Sequence, residues 1–407
     1  MTTSLVRPVS AVRGSVRHGA GFWIVALGFL SVMGLSALAS PLYPAYQQLL
    51  HFSTFTVTLV FAAYAVGVVA SLLTAGHLSD VHGRRRVLVP AVALSVLSAV
   101  AYLAWPTLPG LYVARLLSGF SVGMVTATAT AWLSELHAAH RPAASPARAQ
   151  VVAAIANLGG IGLGPLLGGL LAEWAPAPLV TPYVVLLVAL VLSTGALLVV
   201  PETRPAAVPR PRYRTQRVAV PPSGRAQFAA AAAAAFLGLG VFGLFTALTA
   251  TFLGGTLHAA GPAHTGELIF GVFASGTVTQ LVASRFAPRR RMSLGMPVIV
   301  LGLAAITVAV WLPNPSVALF VAGALVSGVG AGLLFSGGLG LVAQVAAPES
   351  LAEAQAGLFL AGYLGLIVPV IGVGVALLVL TPQVTLALFA VLVAVGTVAT
   401  TVLLRRR

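Results

Sequence analysis

The chain has 407 residues, of which 59% are hydrophobic and only 7% are charged. A soluble globular domain carries about a quarter charged residues, so this composition excludes a soluble domain and indicates a polytopic membrane protein. The formal net charge is +15, and all 22 basic residues are arginine. The chain contains no cysteine, which excludes disulfide bonds, thiol catalysis and thiolate metal sites.

Twelve apolar runs follow one another along the chain, and each approaches or exceeds the roughly 18 residues of a candidate membrane span. They lie at residues 22–43, 54–75, 87–105, 111–133, 150–172, 180–200, 228–253, 267–284, 292–312, 316–346, 354–378 and 383–404. An even number of spans places both termini on one side of the membrane. No small-residue cleavage site stands out after the first run, so we expect a retained first helix and not a signal peptide.

The arginines are distributed unevenly between the two sides of the predicted spans. Both tails and the loops of one side hold 21 of the 22, whereas Arg115 lies inside the fourth span. By the positive-inside rule, both termini and the central loop should be cytoplasmic. The abundance of alanine, valine and glycine and the exclusive use of arginine suggest a GC-rich bacterial gene, so we expect the inner or sole plasma membrane of a bacterium. This placement explains the basic charge by topology and lipid contact, so we expect no nucleic-acid partner. The eight histidines lie in tails, loops or span ends without clustered carboxylates, and we expect no metal and no cofactor.

The sequence also repeats across its middle. Three patterns recur at offsets near half the chain length: Arg84-Arg85-Arg86 with Arg289-Arg290-Arg291, Pro165-x-x-Gly168 with Pro369-x-x-Gly372, and Ser118-Gly119 with Ser327-Gly328. Transporters are often built from two related halves in this way. We therefore expect an all-α membrane protein with twelve transmembrane helices in two six-helix halves. The expected segments are a tail at 1–20, halves at 21–200 and 227–404, a cytoplasmic linker at 201–226, and a tail at 405–407.

Residues 76–86 form a short charged turn between the second and third runs, with the sequence Gly-His-Leu-Ser-Asp-Val-His-Gly-Arg-Arg-Arg. This turn resembles the signature loop between helices 2 and 3 of the major facilitator superfamily of secondary transporters, Gly-x-Leu-x-Asp-Arg-x-Gly-Arg-Arg. The matching positions are Gly76, Leu78, Asp80, Gly83, Arg84 and Arg85. Val81 stands where the family usually has arginine. From this resemblance we expect the turn to act in gating, with Asp80 in an ion pair that breaks as the cytoplasmic side opens.

Arg115 is a charge inside a span, which costs about 2.5 to 3.5 kcal/mol unless the side chain faces protein or water. The pattern Arg115-x-x-x-Gly119 resembles the helix-4 signature associated with proton-coupled members of the superfamily. We expect Arg115 to bind an anionic or polarised group of the substrate, or to tune the pKa of a nearby acid. The alternative is a structural arginine that reaches the membrane interface from the outer end of the helix.

The fifth span carries a glycine-rich motif made of Gly160, Gly164, Pro165, Gly168 and Gly169. The first, second and fourth of these share one helix face and allow a neighbouring helix to approach closely, while the proline bends the helix. The whole spacing resembles the antiporter motif of the drug:proton antiporter branch, which is typical of exporters. The resemblance implies export in preference to uptake.

In the superfamily, helices 1, 4, 7 and 10 line the central cavity. In this chain the candidate lining residues on those spans are Ser36, Ser40, Tyr43, Ser121, Thr246 and Ser336. They stand among aliphatic and aromatic residues, which suits a lipophilic ligand with few polar groups. Spans 1, 7 and 10 contain no acid, which favours neutral or anionic ligands over cations. Glu173 and Glu267, at span ends, are the best available candidates for proton carriers, although a solvated helix end is the preferred interpretation of both.

The sequence therefore predicts a monomeric secondary active transporter that exports small lipophilic compounds by proton antiport and alternating access, as in multidrug efflux. Its partners would be the substrate, protons and the lipid bilayer. Two alternatives are a proton-coupled symporter or facilitator that imports a small metabolite, and a non-transporting membrane sensor or assembly factor. An enzyme is not expected, because no span carries paired carboxylates, a histidine cluster or an activated nucleophile.

Overall fold

The computed structural model describes residues 9–75, 78–204, 220, 224–259, 261–347 and 350–405, with side chains described from residue 17 onward. Gly76, the first glycine of the signature loop, lies outside the described residues. Over the described ranges the chain is helical and contains no strand, which confirms the predicted all-α fold.

In the part of the chain that the structure describes, twelve apolar helices follow the twelve predicted runs. They are α1 Val9–Leu38, α2 Thr54–Ala75, α3 Arg84–Ala104, α4 Leu108–His140, α5 Ala147–Trp174, α6 Thr181–Leu197, α7 Arg225–Gly255, α8 Pro262–Val282, α9 Pro288–Trp311, α10 Val317–Val345, α11 Leu351–Ala376 and α12 Pro382–Arg405. Among the described residues, eleven helical segments are long and apolar enough to cross a membrane, and α6 is the shorter twelfth. A short turn (Ser40–Leu42) and a helix (Tyr43–Leu50) extend α1, and the helix Leu78–His82 lies between α2 and α3.

Several helices continue beyond the apolar runs. For example, the run predicted to end at residue 133 belongs to a helix that continues to His140. At the boundary between membrane and water a helix can contain polar and charged residues. These residues lower the mean hydropathy of the segment although the helix continues. Hydropathy therefore locates each span but underestimates the length of these helices, whereas the run predicted to end at residue 200 exceeds α6, which ends at Leu197.

Buried apolar side chains form two main core clusters. One is drawn mainly from α1–α6, the N-terminal half, and the other mainly from α7–α12, the C-terminal half. Because successive helices alternate in direction, the loops fall at two ends of the bundle. The end that holds the start of α1, the α2–α3 turn, the α4–α5 loop and the end of α12 is called the basic face below. The other end, which holds the α1–α2, α5–α6 and α7–α8 connections, is called the opposite face.

The halves meet through α5 against α8 and through α2 against α11. Glycine makes these contacts close: a Cβ on Gly169 would lie 2.2 Å from the Pro262 carbonyl oxygen, and one on Gly266 would lie 2.2 Å from the Pro165 carbonyl oxygen. Among the described glycines, every tight contact between the halves lies between the bundle centre and the opposite face. The structure is therefore closed at the opposite face.

Candidate functional site

A cavity of about 80 Å³ lies between the two halves at the bundle centre. Its walls are mainly aromatic and come from both halves: Phe61, Tyr64, Phe242, Phe273, Phe335, Phe359 and Tyr363. The rings of Phe242 and Phe273 stack with their centroids 4.6 Å apart. None of the described side chains that line the cavity carries a charge. The lining therefore favours an apolar ligand.

A few polar groups interrupt this aromatic lining. The hydroxyls of Ser36, Thr126 and Thr246 each donate to a carbonyl oxygen of their own helix, at 2.7, 2.8 and 2.7 Å. Each hydroxyl oxygen keeps lone pairs that can accept a hydrogen bond. The amide of Asn157 also lines the cavity, and it makes no hydrogen bond with the described residues. The cavity therefore offers one unused amide and several hydroxyl acceptors.

Asn157 is a site residue that the sequence interpretation missed. It lies in a five-residue π-helical turn, Ile155–Gly159, inside α5. Such turns are rare and often occur at functional sites. One signal was available: Asn157 is the only asparagine inside a predicted span.

The predicted lining residues divide into two groups. Ser36 and Thr246 line the cavity. Ser40, Tyr43, Ser121 and Ser336 are buried outside the lining of this cavity in the present state. Ser121 faces α3, where its hydroxyl lies 2.7 Å from the Ser95 hydroxyl and donates to the Ala91 carbonyl.

Arg115 is fully buried, with 0% of its surface exposed, so its side chain does not reach the surface of the protein. Its guanidinium donates to the hydroxyl of Tyr43, with the Nε–O distance at 3.1 Å, and to the backbone carbonyl of Ser36. The guanidinium carbon also lies 5.5 Å from the Tyr43 ring centroid and 6.0 Å from that of Tyr64. The rings therefore stabilise the cation partly through their negative faces.

Arg115 has no ionic partner: no carboxylate of the described residues lies within ion-pair distance. Arg115 is instead surrounded by tyrosines that contact one another. The hydroxyls of Tyr46 and Tyr183 lie 3.2 Å apart, and the ring of Tyr102 stacks on that of Tyr183 with a centroid distance of 4.5 Å. The Tyr102 hydroxyl is itself buried without a partner in the described structure. The positive charge of Arg115 is thus solvated by neutral dipoles and is not neutralised.

Close packing of α2 on α4 brings this charge to the cavity wall. A Cβ on Gly119 would lie 1.9 Å from the Tyr64 carbonyl oxygen, and one on Gly67 would lie 2.5 Å from the Leu116 carbonyl oxygen. These glycines allow Tyr64 to cover Arg115 on one side and to line the cavity on the other. The glycine of the helix-4 pattern therefore positions the tyrosine that separates the charge from the cavity.

Ion pairs join the signature loop to α4 and to the start of the linker. Arg84 contacts Asp80 at 2.9 Å and Glu135 at 2.8 Å, and it also donates to the Ser79 hydroxyl at 2.8 Å. Asp80 makes a second ion pair, at 2.9 Å, with Arg204. All these partners belong to the N-terminal half and the linker. In this state, therefore, Asp80 is paired with its own half and with the linker, and not with the C-terminal half.

Glu202 completes this cluster at the beginning of α3. Its carboxylate accepts hydrogen bonds from the backbone N–H groups of Arg84 and Arg85, both at 3.0 Å. Gly83 precedes the helix with φ at +97°, and a Cβ there would lie 2.8 Å from a Glu202 carboxylate oxygen. The positive φ and the close approach of Glu202 therefore favour glycine at this position. The Glu202 carboxylate also stabilises the positive end of the α3 helix dipole.

The glycines of α5 face two different neighbours. Gly160, Gly164 and Gly168 pack on α1, where a Cβ on Gly164 would lie 2.0 Å from the Gly34 carbonyl oxygen. Gly169 and the Pro165 carbonyl contact α8 of the other half. The motif therefore forms one contact within the N-terminal half and a second, separate contact across the interface.

The two candidate proton carriers lie near the opposite face, and both are exposed. Glu173, near the end of α5, accepts a long hydrogen bond of 3.4 Å from the backbone N–H of Ala263, at the start of α8. It therefore connects the two halves. No comparable contact links Glu267 to the other half among the described residues.

Two known proteins share sequence with parts of this chain. A segment of 115 residues is 36% identical to the multidrug resistance protein Stp of Mycobacterium tuberculosis, covering 28% of this chain and 21% of Stp. A segment of 154 residues is 26% identical to an uncharacterised MFS-type transporter of Methanocaldococcus jannaschii, covering 37% of each chain. The matches thus span well under half of either relative.

Solved structures resemble the whole bundle. The human organic anion transporter MFSD10 (TETRAN) superposes with a TM-score of 0.68 at 17% identity, over 94% of this chain and 99% of that one. The nucleoside transporter NupG superposes with a TM-score of 0.71 at 14% identity, over the same shares. At these identities the likeness shows the fold.

The family assignment follows from a match over most of the sequence. The profile of the Major Facilitator Superfamily matches residues 24–320. This range includes the signature loop, Arg115, the α5 motif and the N-terminal side of the cavity described above. The chain belongs to the Major Facilitator Superfamily and is a multi-pass membrane transporter, not an enzyme.

Proposed function

We propose that the chain exports small lipophilic compounds, neutral or anionic, by proton antiport and alternating access, and that it acts as a monomer. The observation that carries the proposal is a buried arginine without a carboxylate partner, placed directly behind an aromatic cavity. The resemblance of the α5 motif to that of drug:proton antiporters supports export. So does the partial likeness to a multidrug resistance protein.

The electrostatics of the cavity favour certain substrates. Aromatic walls without charge bind apolar surfaces, and Arg115 adds a positive potential that the neutral tyrosines screen only weakly in a low dielectric. An anionic or electron-rich group would be attracted to the wall formed by Tyr64 and Ser36, whereas an organic cation would be repelled. The structural likeness to a transporter named for organic anions is consistent with this preference.

Alternating access explains why the cavity is small in this state. Ligand pockets for drug-sized molecules measure about 300–1,000 Å³, well above the roughly 80 Å³ seen here. We infer that the halves part at one face to admit substrate and at the other to release it. By the positive-inside rule the basic face is cytoplasmic, so the closed opposite face is the outer gate.

Proton coupling requires a side chain that binds and releases a proton and that lies at a contact which breaks during the transport cycle. Glu173 is better placed than Glu267, because its carboxylate accepts from α8 across the closed gate. Protonation would remove a negative charge from the N-terminus of α8 and weaken this contact. We therefore propose Glu173 as the proton-responsive group of the outer gate.

The test measures accumulation in an efflux-deficient bacterium that expresses the chain. The compounds are three derivatives of one aromatic scaffold: a carboxylate, its methyl ester and a quaternary ammonium analogue. The accumulation of each is measured with and without a protonophore. We expect lower accumulation of the carboxylate and ester, reversed by the protonophore and by Arg115→Ala or Asp80→Asn. Arg225→Gln, which removes an exposed arginine far from the site, is the matched control and should retain export.

Three outcomes would contradict the proposal, provided the protein is present in the membrane. Higher accumulation than in the vector control would indicate import. Unchanged accumulation of every compound would favour a non-transporting role. Export of the ammonium compound alone would show that Arg115 does not set the charge preference.

A further inference from the structure

A second pocket, of about 330 Å³, opens at the basic face, away from the central cavity. It lies between residues 19–23 of α1 and the connection from α4 to α5. Its lining is basic and aromatic: Phe22, Trp23, His137, His140, Arg141 and Arg148, together with the backbone at Gly19 and Ala20. None of the described side chains that line it is acidic. We call it the basic-face pocket.

The floor of the basic-face pocket is held by packing. A Cβ on Gly19 would lie 2.9 Å from the His140 ring, so the missing side chain allows that ring to pack against α1. His137 is buried and lies 5.9 Å from Phe22, measured between ring centroids. Its Nε2 donates to the Ser145 carbonyl oxygen at 3.1 Å, which holds the α4–α5 loop over the pocket.

Two arginines supply the charge at the mouth of the pocket. Arg148 lies with its guanidinium carbon 5.8 Å from the Trp23 ring centroid, and Arg141 follows α4 directly. Both side chains are exposed, and neither forms an ion pair with a described carboxylate. The mouth of the pocket is therefore an uncompensated positive site with several N–H donors.

An exposed apolar strip begins at the pocket and runs toward the membrane interior. On α1 it consists of Trp23 and Leu27, which are 49% and 59% exposed. On α5 it consists of Val151 and Ile155, which follow Arg148 at one-turn intervals and are 39% and 43% exposed. Tryptophan is enriched at membrane interfaces, where its ring lies at the level of the lipid headgroups.

We propose that the basic-face pocket binds the phosphate of an anionic phospholipid from the adjoining leaflet, and that an acyl chain of this lipid lies along the apolar strip. Arginines at the mouth match the phosphate, and the strip matches the hydrocarbon chain. A soluble phosphate would use only the first of these features. The continuity of charge and apolar surface, joined by Trp23 under Arg148, favours the lipid.

The test is native mass spectrometry of the full-length protein in detergent, titrated with phosphatidylglycerol or with phosphatidylcholine of identical acyl chains. The pocket variant is Arg141→Gln/Arg148→Gln, and the control, Arg86→Gln/Arg225→Gln, removes two exposed arginines of the same face outside the pocket. Each interfacial arginine contributes a factor of about five in affinity, so we expect the pocket variant to bind phosphatidylglycerol about 30-fold more weakly. The control variant should bind like the parent protein.

A second measurement separates the lipid from a soluble anion. Thermal unfolding in detergent should shift upward with phosphatidylglycerol and should not shift with millimolar inorganic phosphate. An equal shift with phosphate, or displacement of the bound lipid by it, would overturn the proposal in favour of a soluble anion. Equal loss of binding in the pocket and control variants, or equal binding of phosphatidylcholine, would overturn it in favour of unspecific adsorption.

Discussion

The contact between Gly169 and the backbone of Pro262 joins the two halves, so a single methyl group at residue 169 should act on the conformational equilibrium. A Cβ there would lie 2.2 Å from the Pro262 carbonyl oxygen and 2.9 Å from its carbonyl carbon. Both obstacles are backbone atoms, which cannot rotate away as a side chain can. Gly169→Ala should therefore destabilise the state that is closed at the opposite face.

The size of the effect follows from this geometry. The added Cβ would lie about 1 Å closer to this oxygen than an ordinary carbon–oxygen contact of about 3.3 Å allows, so α5 and α8 must move apart. Overpacking of this kind costs about 1–3 kcal/mol. In a state open at the opposite face this contact is absent, so the whole cost falls on the closed state. The equilibrium should shift toward the open state by about 5- to 150-fold.

Distance measurements between spin labels can detect this shift, and the absence of native cysteine makes the labelling specific. One pair, Leu49→Cys with Val379→Cys, lies at the opposite face, and the other, Ala139→Cys with Ala343→Cys, lies at the basic face. Gly169→Ala should increase the population of long distances in the first pair and of short distances in the second.

Two further glycines serve as controls. Gly195→Ala adds the same methyl group at a position in α6 with no atom within 4 Å, and it should leave both distance distributions unchanged. Gly164→Ala would place a Cβ 2.0 Å from the Gly34 carbonyl oxygen within one half. It should lower thermal stability without favouring either face. An unchanged distribution in Gly169→Ala, or a shift of equal size in Gly164→Ala, would refute this account of the α5 motif.

Three more substitutions test the site and the signature loop. Tyr43→Phe removes the hydroxyl that accepts from Arg115 and should cost about 1–3 kcal/mol of stability, measured by thermal unfolding in detergent; an unchanged midpoint would show that the hydrogen bonds are not formed. Glu202→Ala leaves two N–H groups at the start of α3 without their carboxylate and should lower stability by about 1 kcal/mol in the same assay. Glu202→Gln keeps one acceptor oxygen and should lower stability by less. Asp80→Asn breaks two ion pairs of a half-exposed carboxylate, so it should change stability by less than about 1 kcal/mol while it reduces export; a large loss of stability would assign Asp80 a structural role.

Hydropathy and motif spacing predicted much of the architecture, because membrane spans are limited by the bilayer in length and composition. The positions of Arg115 and of the signature loop relative to the spans also followed from the sequence. Arg115 could be expected to face protein, since exposure to lipid would be too costly. The sequence could not show that tyrosines from several helices, and no carboxylate, would surround it.

The direction of small side chains was harder to predict. Ser36 and Ser121 both lie on helices expected to line the cavity, yet only Ser36 does, because Ser121 bonds to α3. Glu202 reaches the start of α3 across 118 positions of sequence, a contact that no local pattern encodes. The π-helical turn at Asn157 likewise depends on packing between helices and has no simple sequence signature.

The most direct test of the central claim is transport by the purified protein in liposomes with an imposed pH gradient and no other energy source. The substrate is the aromatic carboxylate, compared with its ammonium analogue, in vesicles of parent protein and of Arg115→Ala. We predict that an opposing proton gradient drives the carboxylate against its concentration gradient in the parent protein alone. Accumulation that does not depend on the pH gradient, or that is unchanged in Arg115→Ala, would contradict proton-driven export through a site whose substrate preference is set by Arg115.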